Sequence, residues 1–237
     1  MPDFTLAMQL PFARNHMFSG REDIIRTIHS TLKGGTSSDG EVRLPTHKVV
    51  VLHGLGGMGK SSIALEYSFR YSDSYTAVYW IDVTNADSLS RSARSVAEHI
   101  IDSYAKRGRS YENIALMLGL GGVLNTRGQI SSDSDAQARL TGAVKGWLAA
   151  KHNDGWLLIL DNYDDVDSVG IRLLLPTCDV GNVIITSRKS NLQSLGKTVA
   201  IEEIGEEASM ALLAKSVGKE VLDGEGKYPR PIGETII

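Results

Sequence analysis

The residues best suited to chemistry lie in one short run, Gly54-Leu55-Gly56-Gly57-Met58-Gly59-Lys60-Ser61, followed by Ser62. The spacing G-x-x-x-x-G-K-[ST] is met by Gly54, Gly59, Lys60 and Ser61, with further glycines at 56 and 57. Glycines let the backbone turn so that successive amide hydrogens converge on an anion, and the positive end of a following helix adds to the attraction. Gly54, Gly56, Gly57, Met58, Gly59, Lys60, Ser61 and Ser62 are therefore expected to form a phosphate cradle. The Lys60 ammonium would reach the β- and γ-phosphates of a nucleoside triphosphate, and the Ser61 hydroxyl would coordinate Mg²⁺. A glycine-rich turn can carry this spacing by chance. Here an apolar run precedes it and a helical pattern follows it, which is the context the chemistry needs.

A second signal is Leu157-Leu158-Ile159-Leu160-Asp161, a run that reads as a buried strand presenting one carboxylate at its C-terminal end. Open α/β sheets hold ligands there, so Asp161 is a second candidate ligand of Mg²⁺, opposite Ser61. Asn162 follows and cannot serve as a general base, which argues against fast hydrolysis. Asp164 and Asp165 read as solvated turn residues rather than as groups that orient a water. A third signal, Thr186-Ser187-Arg188, ends the apolar run Val183-Ile184-Ile185. Arg188 either contacts a γ-phosphate or is an ordinary surface arginine, and the pattern alone leaves both open. Lys60, Asp161 and Arg188 are the candidate catalytic residues. His53 reads as packed or solvated, and the histidines are too scattered to suggest a metal site.

These residues must be positioned by alternating strands and helices. Residues 23–32 carry Ile24, Ile25, Ile28 and Leu32 at helical spacing, with Ser19 as the expected N-cap. The stretch 33–46 reads as a loop and 48–53 as a strand buried on both faces. Helices are expected over 60–71, 87–104, 136–152 and 205–217, with a short one in the apolar patch 114–120; strands are expected over 76–83, 156–160, 183–185 and 198–201. The alternation predicts an α/β P-loop NTPase fold, a parallel β-sheet with helices on both faces. A tail over 1–10, a domain over 11–217 and an irregular tail over 218–237 complete the reading.

The chain has 237 residues, 42% of them hydrophobic, enough for one such domain with a substantial core. Its net charge of −3, from 25 basic and 28 acidic residues, gives no electrostatic reason to expect nucleic acid or a membrane surface as partner. The single cysteine, Cys178, excludes an intramolecular disulfide, and no apolar stretch approaches the length of a spanning helix. A cytoplasmic location is the simplest expectation.

Taken in order, Phe18-Ser19-Gly20-Arg21-Glu22, the glycine loop with Lys60-Ser61, residues 154–165 and Ile184-Ile185-Thr186-Ser187-Arg188 resemble the NB-ARC domain of STAND-class signalling NTPases, found in plant and fungal NOD-like receptors and in apoptosome scaffolds. The resemblance covers residues 11–217 and is nearest to fungal members. It implies that ATP or ADP binds with Mg²⁺, that Ser19 and Arg21 lie against the adenine, and that Arg188 senses the nucleotide. It further implies an ATP/ADP switch with slow hydrolysis at most, acting in signalling or innate-immunity-like responses through self-association or association with related NTPase domains. The family's helical and winged-helix subdomains, with a histidine on the ADP β-phosphate, have no match here. Two other functions remain open on sequence: a small P-loop ATPase or phosphotransferase, and a nucleotide-independent scaffold module.

Overall fold

The computed structural model describes residues 6–34, 48–151, 153–166, 170–171, 175–176, 180–205 and 209–210. Cys178, most of the expected loop at 33–46, almost all of the expected helix at 205–217 and the tail at 218–237 lie outside the described residues. Two compact units are distinguished, Met1–Asn15 with Arg21–Glu203 and His16–Gly20 with Ile204–Ile237. In the second unit the Ser209 amide donates to the Gly205 carbonyl at 2.9 Å.

The first unit contains, in chain order, α1 (Glu22–Lys33), β1 (Lys48–His53), α2 (Lys60–Arg70), β2 (Ala77–Asp82), α3 (Ala86–Ala105), α4 (Tyr111–Leu118), α5 (Ser134–Leu148), β3 (Trp156–Asp161), β4 (Asn182–Ser187) and β5 (Lys197–Ala200). Every strand pairing is parallel and the order is β2-β3-β4-β1-β5. The fold is therefore α/β with an all-parallel five-stranded sheet. All six residues of β3 and of β4 are buried, because these strands lie inside the sheet and are covered on both faces.

Side-chain alternation divides the strands between two layers. Val51, Tyr79, Ile81, Leu158, Leu160 and Ile185 join one apolar cluster with buried residues of α3, α4 and α5. Val50, Leu52, Leu157, Ile159 and Ile184 are equally buried but lie outside that cluster. On their side α1 packs against β1, and α2 against β3 and β4. Parity puts Asp161 and Thr186 on the α2 side of the sheet, facing the helix that begins at Lys60.

Two expectations need correction. Helix α1 starts at Glu22, not after a Ser19 cap; its N-cap is Arg21, left-handed at φ 62° and with no side-chain cap bond. Glu22 and Asp23 in the first turn supply the negative charge that favours a helix start. Residues 6–9 are not a free tail: Leu6 is buried, its amide donates to the Thr76 carbonyl at 2.6 Å, and the Gln9 amide donates to the Val78 carbonyl at 2.9 Å. The segment covers the open edge of β2, satisfying backbone groups that an edge strand would leave unpaired. Single-strand pairing with one apolar anchor leaves no periodicity in so short a sequence.

An ion cluster that the sequence did not signal holds α2. Glu66 is 4% exposed and takes the Arg14 guanidinium at 2.7 Å and the Arg70 Nε at 2.6 Å, while Arg70 also reaches Glu22 at 2.5 and 2.8 Å. Burial pulls the Glu66 carboxyl up, but the two arginines outweigh it and hold it below its ordinary value. The cluster ties α2, whose N-terminus carries the glycine loop, to α1 and to the segment before it.

Helix α3 has a well-formed start, with the Asn85 side chain accepting from the Ser88 amide at 2.9 Å. Asn85→Ala is expected to lower stability by about 1 kcal/mol, read as a shift of the urea midpoint with the m-value unchanged. Among the described residues no helix is long and apolar enough to cross a membrane.

Candidate functional site

The loop between β1 and α2 turns back over the ends of the strands. The Gly54 amide donates to the Ser187 carbonyl at 3.3 Å, and the Ile201 amide donates to the His53 carbonyl at 2.7 Å. Gly54 lies at φ 153°, where a Cβ would run into the Ile201 carbonyl oxygen. Gly59, the residue before α2, is left-handed at φ 85° with nothing near its missing Cβ, so the conformation and not the space requires glycine. The Lys60 ammonium folds over this loop and donates to the Gly54 and Leu55 carbonyls, both at 2.8 Å.

A cleft of about 510 Å³ opens here, at the carboxyl ends of the strands. From the loop and α2 it is lined by Gly56, Gly57, Gly59, Lys60, Ser61 and Ser62. Thr84, Asn162, Asp164, Ser187 and Arg188 come from the ends of the other strands. Of the loop residues read from sequence, Gly54 and Met58 do not line the cleft.

From the cleft's lining the Ser61 hydroxyl donates to Asp161 Oδ1 at 2.7 Å, joining positions 100 residues apart; Asp161 itself is not a lining residue. The Thr186 hydroxyl donates to the same oxygen at 2.5 Å and accepts from the Asn162 amide at 2.9 Å. The Asn162 side chain donates to Asp161 Oδ2 at 3.2 Å. Asp161 is 7% exposed. Burial pushes its carboxyl above the ordinary carboxylate value, against the pull of the Thr186 and Ser61 hydroxyls, and Asp82 at the end of the adjoining strand adds repulsion. Burial likewise lowers Lys60 from the usual lysine value, with Asp164 and Asp161 pulling it back up and Arg188 opposing them.

Arg188 follows β4, where its Nε donates to Asp164 Oδ2 at 2.5 Å and its amide to Asp164 Oδ1 at 2.6 Å. Asp164 is thus no solvated turn residue. Burial raises its carboxyl, but the Arg188 amide and guanidinium outweigh burial and keep it below the ordinary value. Arg21 is not a cleft residue: its Nη2 donates to the Glu202 carbonyl at 2.5 Å. Ser19 belongs to the second unit. Asp165 is exposed.

Sequence reasoning assigned no role to Thr186, Ser187 or Thr84. The signal for the first two was present, since polar residues ending an apolar strand mark the ligand edge of a parallel sheet. Thr84 lies two residues beyond β2, its amide and hydroxyl held by Asp82 Oδ1 at 2.9 and 2.5 Å. The ion pair of Asp164 with Arg188 joins two loops and leaves no mark in either.

No family model matches the chain. A nucleotide-binding leucine-rich repeat (NLR)-like protein of Hyaloscypha variabilis is 24% identical over 248 residues, spanning 95% of this chain and 22% of that protein. The chain thus corresponds to less than a quarter of that relative's length. Among solved structures, Cdc6p from Pyrobaculum aerophilum is 14% identical over 88% of this chain and 52% of its own, with a TM-score of 0.48. The Aeropyrum pernix ORC2 protein is also 14% identical, over 83% of this chain and 50% of its own, with a TM-score of 0.39. The strand pairing, not these two likenesses, carries the fold. With its phosphate loop, its strand-end aspartate and an NLR-like relative along nearly its whole length, the chain fits the NB-ARC/STAND type of nucleotide-binding P-loop domain.

Proposed function

We propose that the cleft binds ATP or ADP with Mg²⁺ and that the bound nucleotide sets a switch with slow hydrolysis. The observation that carries this reading is the meeting of Ser61 with Asp161, a hydroxyl and a buried carboxylate brought together beneath a glycine loop that bears a lysine. The donor set fits the cation. Asp161 is a buried carboxyl whose pKa burial raises, and hydroxyl and carboxylate oxygens suit Mg²⁺. Among the described residues no group of three or more His, Cys, Asp or Glu would hold a metal by itself. Mg²⁺ here would therefore take Ser61 and Asp161, with phosphate oxygens and waters completing its shell. When bound, it would neutralise charge on the phosphates.

Each remaining role belongs to a residue of the cleft. Lys60 would hold the β- and γ-phosphates, the amides at the start of α2 would bind phosphate oxygens, and Arg188, a lining residue of the cleft, would contact a terminal phosphate. Asn162 stands beside Asp161 where a base would otherwise sit, which supports slow hydrolysis. The adenine preference rests on the family resemblance. So do the cytoplasmic, signalling and immunity-like setting and association with further copies or related NTPase domains.

The test is a titration of the purified chain with fluorescent ADP, ATP and GTP, with and without Mg²⁺. Saturable binding of the adenine nucleotides over GTP, with ATP tightened by Mg²⁺, is expected. A folded protein that binds none of them would sink the reading in favour of a nucleotide-independent scaffold.

A further inference from the structure

The turn after β3 is built in a way that nucleotide binding alone does not require. Asn162 is left-handed at φ 65°, one of two such non-glycine residues among those described. This conformation turns the chain back so that Tyr163 packs into the core, its amide donating to the Thr186 carbonyl at 2.8 Å and its carbonyl accepting from the Ser187 hydroxyl at 2.5 Å. Asp164 is thereby set against the end of β4, where both its oxygens are used by Arg188, one by the amide and one by the guanidinium. Both side chains line the cleft that also holds Lys60 and Ser61.

We propose that Asp164 is the resting counter-ion of Arg188 and sets the preference for triphosphate over diphosphate, because a terminal phosphate must draw the guanidinium away from this carboxylate. The proposal rests on the reading of the cleft as a nucleotide site. The exposure of the pair suits an exchange of partners: the Arg188 side chain is 66% exposed and that of Asp164 24%. An ion pair this open is weak and easily traded, whereas a buried one would lock the arginine in place. Asp164 also presents its own charge to the incoming phosphates. A diphosphate that ends short of Arg188 feels only that general repulsion, while a triphosphate must in addition compete for the guanidinium.

The two effects separate in a double-mutant cycle on the whole chain, using labelled ADP and a non-hydrolysable ATP analogue in Mg²⁺. Asp164→Asn keeps an oxygen for the Arg188 amide and removes the charge. It is expected to raise the ratio of ATP-analogue to ADP affinity by about two- to fivefold, the scale of one exposed ion pair. In an Arg188→Gln background the same substitution should leave the ratio unchanged. A ratio unmoved by Asp164→Asn, or moved equally in both backgrounds, overturns the proposal, since general repulsion alone would explain it. If Asp164→Asn melts below the assay temperature, Asp164→Glu retains the charge but displaces the carboxylate, and a ratio identical to the parent's then overturns it. Parent protein that binds neither nucleotide would remove the nucleotide-site reading and this proposal together. Intact ADP binding with an insensitive ratio removes only the role of Asp164.

Discussion

Asp161→Asn is expected to produce a chain at least as stable as the parent that has lost most of its response to Mg²⁺. The carboxylate sits at the end of a fully buried strand with its Oδ1 held by two hydroxyls, and neither hydroxyl carries a positive charge. Burial raises its pKa above the ordinary carboxylate value. The sign follows from linkage. A carboxyl that binds its proton more tightly when folded costs the folded state stability once it ionises; the cost is absent below the unfolded value and complete above the folded one. An amide removes that cost at neutral pH. Its oxygen still accepts from Ser61 and Thr186, and the exposed Asn162 side chain can turn its own carbonyl toward the new amide. What the amide cannot do is balance a divalent cation, so Mg²⁺ affinity should fall roughly 10- to 100-fold. Melting curves at neutral pH beside Mg²⁺ titrations at fixed ATP analogue check both halves. A variant much less stable than the parent would mean that the carboxylate is structural, and an unchanged Mg²⁺ response would place the cation elsewhere.

A carboxylate buried at the end of an apolar strand is legible because it is out of place there. A carboxylate directly after Leu157-Leu158-Ile159-Leu160 violates the pattern of the strand that carries it, and such violations cluster at functional sites. The glycine loop was legible for a related reason, since four glycines, a lysine and a serine before a helix break local rules at fixed spacing. The strands β1, β3 and β4 followed from continuous apolar runs, which two-sided burial demands. Strand order did not, because parallel neighbours such as Val49 and Val183 are far apart in sequence and any apolar strand could pair with any other.

The misread residues share a cause. Ser19 has the chemistry of a cap, yet α1 begins after Arg21, whose left-handed backbone accompanies a side chain pinned to the Glu202 carbonyl. Asp164 reads as a turn residue until Arg188, 24 positions on, is brought beside it. Glu66, which drew no reading from the sequence, is a further case: it is enclosed by Arg14, 52 positions away, and by Arg70. In each case a long-range polar partner decides the outcome, and one-dimensional spacing cannot encode such a partner.

Lys60→Ala is expected to lower affinity for both ADP and ATP by about 100-fold, the equivalent of one lost charge-assisted contact to a phosphate. The ammonium has three donors and spends two on the Gly54 and Leu55 carbonyls, leaving one for a ligand while the other two hold the lysine over the loop. Its removal acts twice. The phosphates lose their cation, and Asp161 and Asp164, which Lys60 offsets, then face a polyanion with less positive charge between them. Stability should change by no more than about 1 kcal/mol, since both freed carbonyls belong to residues that solvent reaches and alanine is a good helix former at this position. The pairing of a large binding loss with a small shift in melting temperature is the diagnostic result, read by calorimetric titration beside thermal unfolding. A folded variant that binds within fivefold of the parent would show that the glycine loop is not the phosphate site. The Ser61–Asp161 contact would then be only a tie between α2 and β3.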